Sequence, residues 1–231
     1  MRKKGFVIAM DGPAGVGKST IGQWVAKSLG YYFVNTGEMY RALTWKALEK
    51  KLDIGDEKKI VALAHEINWE FRPAPDQVTL KTFVDSEPVS AHIREERVGA
   101  FSSQVASYPG VRKFFCKLQR SLGKNGGVVM EGRDITTHVF PDAEFKIYLD
   151  ASVEERAKRR YHQLKAAGQE ADWRKIKEGI LKRDLGDLKR KINPLSLAKD
   201  AVLIDSTHMG RRAVAQKIIK MVRHRRTKTA K

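Results

Sequence analysis

The sequence predicts a doubly wound α/β fold built on a five-stranded parallel sheet, and three observations support this prediction. Five short apolar runs are each followed by a segment that could form a helix. The runs are continuous rather than alternating, as expected for strands buried on both faces of a parallel sheet. The first run leads directly into a glycine-rich turn of the kind that binds phosphate groups. The five predicted strands are residues 6–10, 32–35, 128–131, 145–149 and 201–204.

The glycine-rich turn at residues 12–19 fits the phosphate-binding loop (P-loop) pattern G-x-x-x-x-G-K-[ST] between a strand and a helix. The backbone N–H groups of such a turn and the positive end of the helix dipole bind phosphate oxygens. Lys18 would reach the β and γ phosphates of a nucleoside triphosphate, and the Ser19 hydroxyl would ligate Mg²⁺. The alternative is a turn that is merely rich in glycine.

Composition limits the classes of protein that fit this chain. Its 231 residues suffice for one α/β core with an insertion. The formal net charge of +18 points to polyanionic partners, although nine of the cations lie in the last 21 residues, where there is no acid. The single cysteine, Cys116, excludes an intrachain disulfide and a thiolate zinc cluster, and it fits a reducing compartment. Because no apolar run approaches the ~18 residues of a membrane span, we expect a soluble cytoplasmic protein.

About 90 residues separate the second and third predicted strands, too many for one crossover helix. Strand patterns at residues 67–71, 78–84 and 88–89 predict a small antiparallel patch inserted near residues 66–95. Helical patterns cover residues 94–122 and 153–190, with breaks near 108–110 and 167–169. We expect one domain over residues 1–222, ending in an amphipathic helix, and a disordered basic tail at residues 223–231.

Two strand exits carry an arginine: residues 36–41 end in Arg41, and Glu131-Gly132 is followed by Arg133 and Asp134. Ligands of open α/β sheets bind beyond the carboxyl ends of the strands. Phosphoryl transfer to a phosphate acceptor needs no general base, because the acceptor is mostly a dianion, but it needs cations that hold two polyanions together. Arg41 would lie in the first two turns of a helix facing the cleft. The alternative is a surface arginine exposed to solvent.

Arg183, Asp187 and Arg190 have the spacing i, i+4, i+7, which places them on one face of a helix. A carboxylate between two guanidinium groups suits a sugar hydroxyl flanked by phosphates, and the arginines would close over the transferring group as a lid. The alternative is a solvated face held by weak ion pairs. A second group of arginines, Arg156, Arg159 and Arg160, also lies on one helix face. Their role could be contact with a nucleotide or simple exposure to solvent, and the sequence favours neither.

Five strings in this order make the chain resemble the bacterial cytidylate kinases over residues 5–222. They are DGPAG at 11–15, TGEMYR at 36–41, EGRDI at 131–135, VFPDA at 139–143, and Arg183-Asp184 before Pro194-Leu195. The resemblance implies a nucleoside monophosphate kinase that uses Mg-ATP to convert CMP and dCMP to diphosphates. It also implies a three-stranded insertion in the monophosphate-binding region, which matches the patch near 66–95, and a lid near 153–190.

The resemblance further implies roles for individual residues. The ATP phosphates would be held by Gly12, Pro13, Ala14, Gly15, Val16, Gly17, Lys18, Ser19 and Thr20. The acceptor or the transferring phosphate would contact Arg41, Arg133, Arg183 and Arg190, and the catalytic set would be Lys18, Arg133, Arg183 and Arg190. The remaining substrate residues would be Thr36, Ser103, Arg112, Asp134 and Asp187. Asp134 could accept from the cytosine amino group, which uracil lacks, and Asp187 would contact the ribose. Gly186 and Leu188 depart from the often charged residues of relatives.

Two alternatives stay open. One is a kinase of the same fold with another acceptor; a hydroxyl acceptor would need a base, for which Asp134 is the candidate. The other is a nucleic-acid-binding protein with a vestigial nucleotide site, which the +18 charge suggests but which lacks an aromatic RNA-binding motif. We expect ATP and CMP or dCMP as partners of a monomer, with no membrane contact and no main role for nucleic acid. Asp11 and Asp150 are the candidate carboxylates that support Mg²⁺.

Overall fold

The structure, a computed structural model, describes residues 2–229, with the backbone alone for residues 228 and 229. Its strands are β1 (Val7–Asp11), β2 (Tyr32–Asn35), β3 (Trp69–Pro73), β4 (Leu80–Val84), β5 (Glu87–Pro88), β6 (Val128–Glu131), β7 (Phe145–Asp150) and β8 (Val202–Asp205). Its α-helices are α1 (Lys18–Leu29), α2 (Thr36–Glu49), α3 (Glu57–Glu66), α4 (Glu96–Val105), α5 (Pro109–Gly123), α6 (Val153–Ala166), α7 (Trp173–Lys189) and α8 (Arg211–Thr229).

Five strands form a parallel sheet in the order β2-β6-β1-β7-β8. All five strands predicted from the continuous apolar runs are present, and the predicted α/β class is confirmed. The carboxyl ends of the strands meet at one edge, where Glu131 pairs in register with both Met10 of β1 and Asn35 of β2. The turns that follow β1, β2 and β6 therefore open onto the same cleft.

Alternate residues of β1 face opposite sides of the sheet, and helices cover both sides. Val7 and Ala9 belong to a core cluster that includes apolar residues of α2, α3, α4 and α5. Ile8 and Met10 belong to a second cluster with residues of α1 and α8. Full burial of a side chain such as Ile8 stabilises the fold by about 1.5–3 kcal/mol. Burial on both faces explains why the strand reads as an unbroken apolar run.

The insertion between α3 and α4 is an antiparallel sheet in the order β3-β4-β5. It lies within the region predicted for it, although β3 and β4 each begin two residues later than predicted. An isolated bridge between Phe33 and Thr79 connects β2 to the residues before β4. The insertion is thereby attached to the end strand of the main sheet. The single domain over residues 1–222 stays a prediction.

The predicted disorder from residue 223 onward is wrong for residues 223–229, because helix α8 continues to Thr229. Val222 is buried in the core, and the next turns are held by side-chain contacts. Arg223 donates to the carbonyl oxygen of Ser28 at 3.4 Å, and the Arg226 guanidinium lies over the Tyr31 ring. Residues 230 and 231 lie outside the described residues. No helix among residues 2–229 is both long and apolar enough to span a membrane.

Candidate active site

The loop between β1 and α1 has the backbone geometry that phosphate binding requires. Gly12 has a φ of +146°, and a Cβ there would lie 2.1 Å from the Leu149 carbonyl oxygen. Gly15 and Gly17 have φ values of +77° and +99°. No side chain of the described residues caps the start of α1, and its first turn contains no acid, so its N–H groups are available to an anion.

Lys18 is buried beneath this loop. Its Nζ donates to the carbonyl oxygens of Gly12 at 2.7 Å and Pro13 at 2.8 Å. Burial, together with repulsion from the Arg133 cation, lowers the pKa of Lys18 to about 7. A phosphate anion at the loop would favour the charged ammonium and replace the carbonyl contacts.

Glu131, at the end of β6, is the carboxylate nearest to the loop hydroxyl that the sequence assigned to Mg²⁺. Ser19 Oγ donates to Glu131 Oε1 at 2.5 Å, and Thr36 Oγ1 donates to the Glu131 backbone oxygen at 2.8 Å. Ser19, Thr36 and Glu131 all line the cleft. The exit of β6, the start of α1 and the start of α2 are thus joined by hydrogen bonds.

Sequence reasoning named Asp11 and Asp150 as the carboxylates that support Mg²⁺, and the structure favours neither. Asp11 accepts from the N–H groups of Ile135 (3.0 Å) and Thr136 (2.7 Å) and from the Thr136 hydroxyl (2.6 Å). Burial raises the pKa of Asp11 despite these bonds. Asp150 is not among the residues that line the cleft. Glu131 was not among the candidates named from the sequence, although its position at a strand exit was a usable signal.

The cleft at the carboxyl edge of the sheet has a volume of about 1490 Å³. Most predicted site residues line it: Ala14, Gly15, Gly17, Lys18, Ser19, Thr20, Thr36, Arg41, Ser103, Arg112, Arg133, Asp134, Arg183, Asp187 and Arg190. Gly12, Pro13 and Val16 are the predicted residues that do not line it; they are buried behind the loop surface. The loop and the arginines therefore border the same space.

One arginine that follows β6 and another that follows α7 lie around one carboxylate. Arg133 Nε donates to Asp187 Oδ2 at 2.6 Å, and Arg190 Nη1 lies 3.9 Å from Asp187 Oδ1. Burial alone would raise the pKa of Asp187, but the Arg133, Arg183 and Arg190 cations outweigh it and lower that pKa. Burial, followed by repulsion from Arg133, lowers the pKa of Arg183 to about 10. A bound anion would relieve the repulsion between the Arg133 and Arg183 cations, so this cluster favours anion binding.

A second ion pair lies deeper in the cleft. Arg112 Nη2 is 2.6 Å from Asp134 Oδ2, and both side chains are almost fully buried. Asn193 Nδ2 donates to the same oxygen at 3.2 Å, and Arg190 Nη2 lies 3.5 Å from Oδ1. Among the described residues, Arg112 Nε and Arg190 Nη2 are buried donors with no hydrogen-bond partner. Buried donors of this kind are normally satisfied, so Arg112 Nε marks a place for a polar ligand, whereas Arg190 Nη2 already has its ion pair with Asp134.

Arg41 and Ser103 line the cleft on the side of α2 and α4. Arg41 Nη1 donates to the Ile93 carbonyl oxygen at 3.1 Å, and burial, followed by repulsion from Arg160, lowers the pKa of Arg41. Ser103 is exposed. The Arg41 side chain is thus held in place by the segment that follows the insertion, rather than solvated on the surface.

Arg156 is buried and does not line the cleft, so the solvated role left open for it from sequence is wrong. Its Nη1 donates to Asp184 Oδ2 of α7 at 2.5 Å and to the Ala14 carbonyl oxygen at 3.0 Å. Asp184 Oδ1 accepts from the Ala14 N–H at 3.2 Å. The pair therefore fastens the helix that carries Arg183 and Asp187 to the phosphate loop. Arg159 and Arg160, by contrast, line the cleft.

Comparison with known proteins gives consistent matches. The family model for cytidylate kinase matches residues 8–224. The cytidylate kinase of Anoxybacillus flavithermus (strain DSM 21510 / WK1) is 44% identical over 97% of this chain and 99% of its own length. A bifunctional pantoate ligase/cytidylate kinase of Synechococcus sp. (strain JA-3-3Ab) is 45% identical over 94% of this chain, which spans 40% of that relative.

Among solved structures, an uncharacterised protein from Eubacterium ventriosum ATCC 27560 has a TM-score of 0.50 at 11% identity. The match covers 96% of this chain and 99% of the other. This likeness concerns the fold alone. The family model and the 44% identical full-length relative agree with the phosphate loop and the arginine-lined cleft, and the chain belongs to the cytidylate kinase family.

Proposed function

We propose that the protein transfers the γ-phosphoryl group of ATP to CMP or dCMP, giving ADP and CDP or dCDP. The observation that carries the proposal is that two sets of residues line one cleft. One set is the phosphate loop, and the other consists of Arg41, Arg133, Arg183 and Arg190. Two polyanions can share a site only where cations offset their repulsion.

At the loop, the N–H groups at the start of α1 would bind the triphosphate, and Lys18 would exchange its carbonyl partners for phosphate oxygens. The residues beside the loop fit Mg²⁺: the Ser19 hydroxyl and the Glu131 carboxylate supply hard oxygen atoms. When bound there, Mg²⁺ would neutralise phosphate charge.

On the acceptor side, Arg133 and Arg183 would bind the phosphates between the two nucleotides. Asp187 would then leave its ion pair with Arg133 and contact the ribose. Arg112 Nε and Arg190 Nη2, which have no hydrogen-bond partner among the described residues, would bind polar atoms of the acceptor, and Arg190 Nη2 would exchange its ion pair with Asp134 for that contact. Asp134 is engaged by Arg112 and Asn193 at the same oxygen. A carboxylate held in this way is a poor general base, which favours a phosphate acceptor over a hydroxyl acceptor. We place the reaction in the cytoplasm and propose a monomer.

A coupled assay of ADP release tests the proposal with CMP, dCMP, UMP, AMP and GMP as acceptors. We expect CMP and dCMP to have the highest kcat/KM. Arg112→Met should raise the KM for CMP roughly 10- to 100-fold, the effect of losing hydrogen bonds from a charged group. The matched control Lys113→Met changes the exposed neighbour on α5 and should leave that KM unchanged. If CMP were no better an acceptor than AMP, UMP and GMP, the proposal would fail.

A further inference from the structure

Helix α8 carries a stripe of exposed cations on the side away from the core. Val214, Ala215, Ile218 and Val222 are its buried residues. The exposed side includes Arg212, Lys217, Lys220 and Arg223, and the helix contains no acid. At about 100° and 1.5 Å per residue, Arg212, Lys220 and Arg223 lie within roughly 80° of one another along about 17 Å of helix.

Helix α1 extends this stripe, because it packs against α8 and also contains no acid. Lys27 is exposed on α1. Arg223 Nη2 donates to Ser28 Oγ at 3.3 Å, and the Arg212 guanidinium lies 6.0 Å from the Trp24 ring centre. The Trp24 side chain on α1 is 37% exposed. We call the surface formed by Lys27, Arg212, Lys217, Lys220 and Arg223 the basic face.

The cations of the basic face have no counter-charge within the described residues, where none of the five forms an ion pair. Two partly buried lysines elsewhere do have carboxylate partners: Lys146 lies 2.7 Å from Asp200, and Lys46 lies 2.7 Å from Asp85. Concentrated like charges repel one another and destabilise a compact fold. A polyanion with closely spaced phosphates would remove this repulsion and release its own counterions.

Two observations favour a nucleic acid over a membrane as the polyanion. A helix that lies in a membrane interface inserts an apolar face, whereas the apolar residues of α8 are buried in the core. The exposed Trp24 ring lies beside Arg212, and an aromatic ring next to cations is the arrangement on which unpaired bases stack.

We propose that the basic face binds single-stranded nucleic acid, with its cations on the phosphates and Trp24 stacked on a base. None of the basic-face residues lines the cleft, and neither does Trp24. Nucleic-acid binding would therefore be an activity separate from phosphoryl transfer, and a bound strand would leave the cleft open to ATP and CMP.

The test measures fluorescence anisotropy of a labelled 20-nucleotide oligo(U) RNA with the full chain at 50–200 mM NaCl. The face variant R212Q/K220Q/R223Q removes three cations of the basic face. The control variant K58Q/K113Q/K117Q removes three exposed cations from α3 and α5, so the two variants have the same net charge. Unchanged thermal unfolding and CMP phosphorylation in both variants show that each is folded.

We expect the affinity of the wild type to fall steeply with salt. The face variant should lose at least tenfold in affinity and about two units of slope in the plot of log affinity against log salt, since each phosphate contact to a single strand contributes about 0.7. The control variant should lose less than threefold. Trp24→Ala should weaken binding about tenfold without changing the salt slope.

Five outcomes would overturn the proposal. Equal losses in the face and control variants would mean that net charge alone attracts RNA, and full binding by the face variant would place the RNA elsewhere. Displacement of the RNA by a saturating ATP analogue would locate it in the cleft. Tighter binding to phosphatidylserine vesicles than to RNA, lost in the face variant, would identify a membrane surface. An unchanged affinity in Trp24→Ala would remove the stacking contact.

Discussion

Replacement of Asp184 by alanine should separate helix α7 from the phosphate loop. Asp184 and Arg156 have side chains that are 12% and 5% exposed and lie 2.5 Å apart. Removing the carboxylate leaves the Arg156 cation buried without its counter-charge, which costs about 3–5 kcal/mol in free energy of unfolding. The Ala14 N–H also loses its acceptor. For a chain of this size the loss corresponds to a fall in Tm of roughly 6–20 °C.

Urea denaturation followed by circular dichroism measures the loss, and steady-state kinetics measure its effect on nucleotide binding. The KM for ATP should rise more than kcat falls, since Ala14 belongs to the phosphate loop. The double variant Arg156→Met/Asp184→Ala also lacks the Arg156 cation, so it should be more stable than Asp184→Ala alone. Asp200→Ala breaks a pair whose carboxylate is exposed, and it should cost less than about 1 kcal/mol. A loss below about 1 kcal/mol in Asp184→Ala would refute the reasoning.

Three further predictions follow from the loop. Because the pKa of Lys18 falls to about 7 on folding, the unfolded chain binds one more proton than the folded chain between about pH 7 and 10. The free energy of unfolding of the wild type should therefore rise with pH over this range, relative to that of Lys18→Met, by up to about 1.4 kcal/mol per pH unit. Urea denaturation at several pH values measures both, and the same pH dependence in the two proteins would contradict the prediction. Glu131→Gln should raise the Mg²⁺ concentration for half-maximal activity about 10-fold or more, whereas an unchanged titration would exclude a role for Glu131. Gly12→Ala should lose ATP binding by calorimetry, since its Cβ would clash with the Leu149 carbonyl oxygen; wild-type affinity would show that the loop tolerates it.

The sheet was predictable because burial on both faces leaves a local signature. Consecutive residues such as Val7 and Ile8 face opposite sides of the sheet and are both apolar, so each strand could be recognised from its own residues. The ends of the inserted strands were less predictable, since pairing decides where they stop: Trp69 lies opposite Val84 in the register of β3 and β4. Such a register depends on a partner strand and leaves little local trace.

The candidate site was predictable where one motif carries both the geometry and the chemistry. Arg183, Asp187 and Arg190 line the cleft together because helical spacing already placed them on one face. Arg156 was misjudged because its partner Asp184 lies 28 residues away, and neither pairing nor burial can be read from spacing on one helix. The ordered helix beyond residue 223 was missed because its composition is polar and its contacts are made with α1 and β7.

The central claim is that the phosphate loop and the guanidinium groups hold two nucleotides with their phosphates in contact. Calorimetric titration with adenosine and cytidine joined by five phosphates tests it most directly, because one such molecule would occupy both halves of the cleft. We predict that it binds at least about 100-fold more tightly than ATP or CMP alone, as expected for two linked ligands, and that Arg183→Met removes most of the gain. An affinity no greater than that of ATP would contradict the claim.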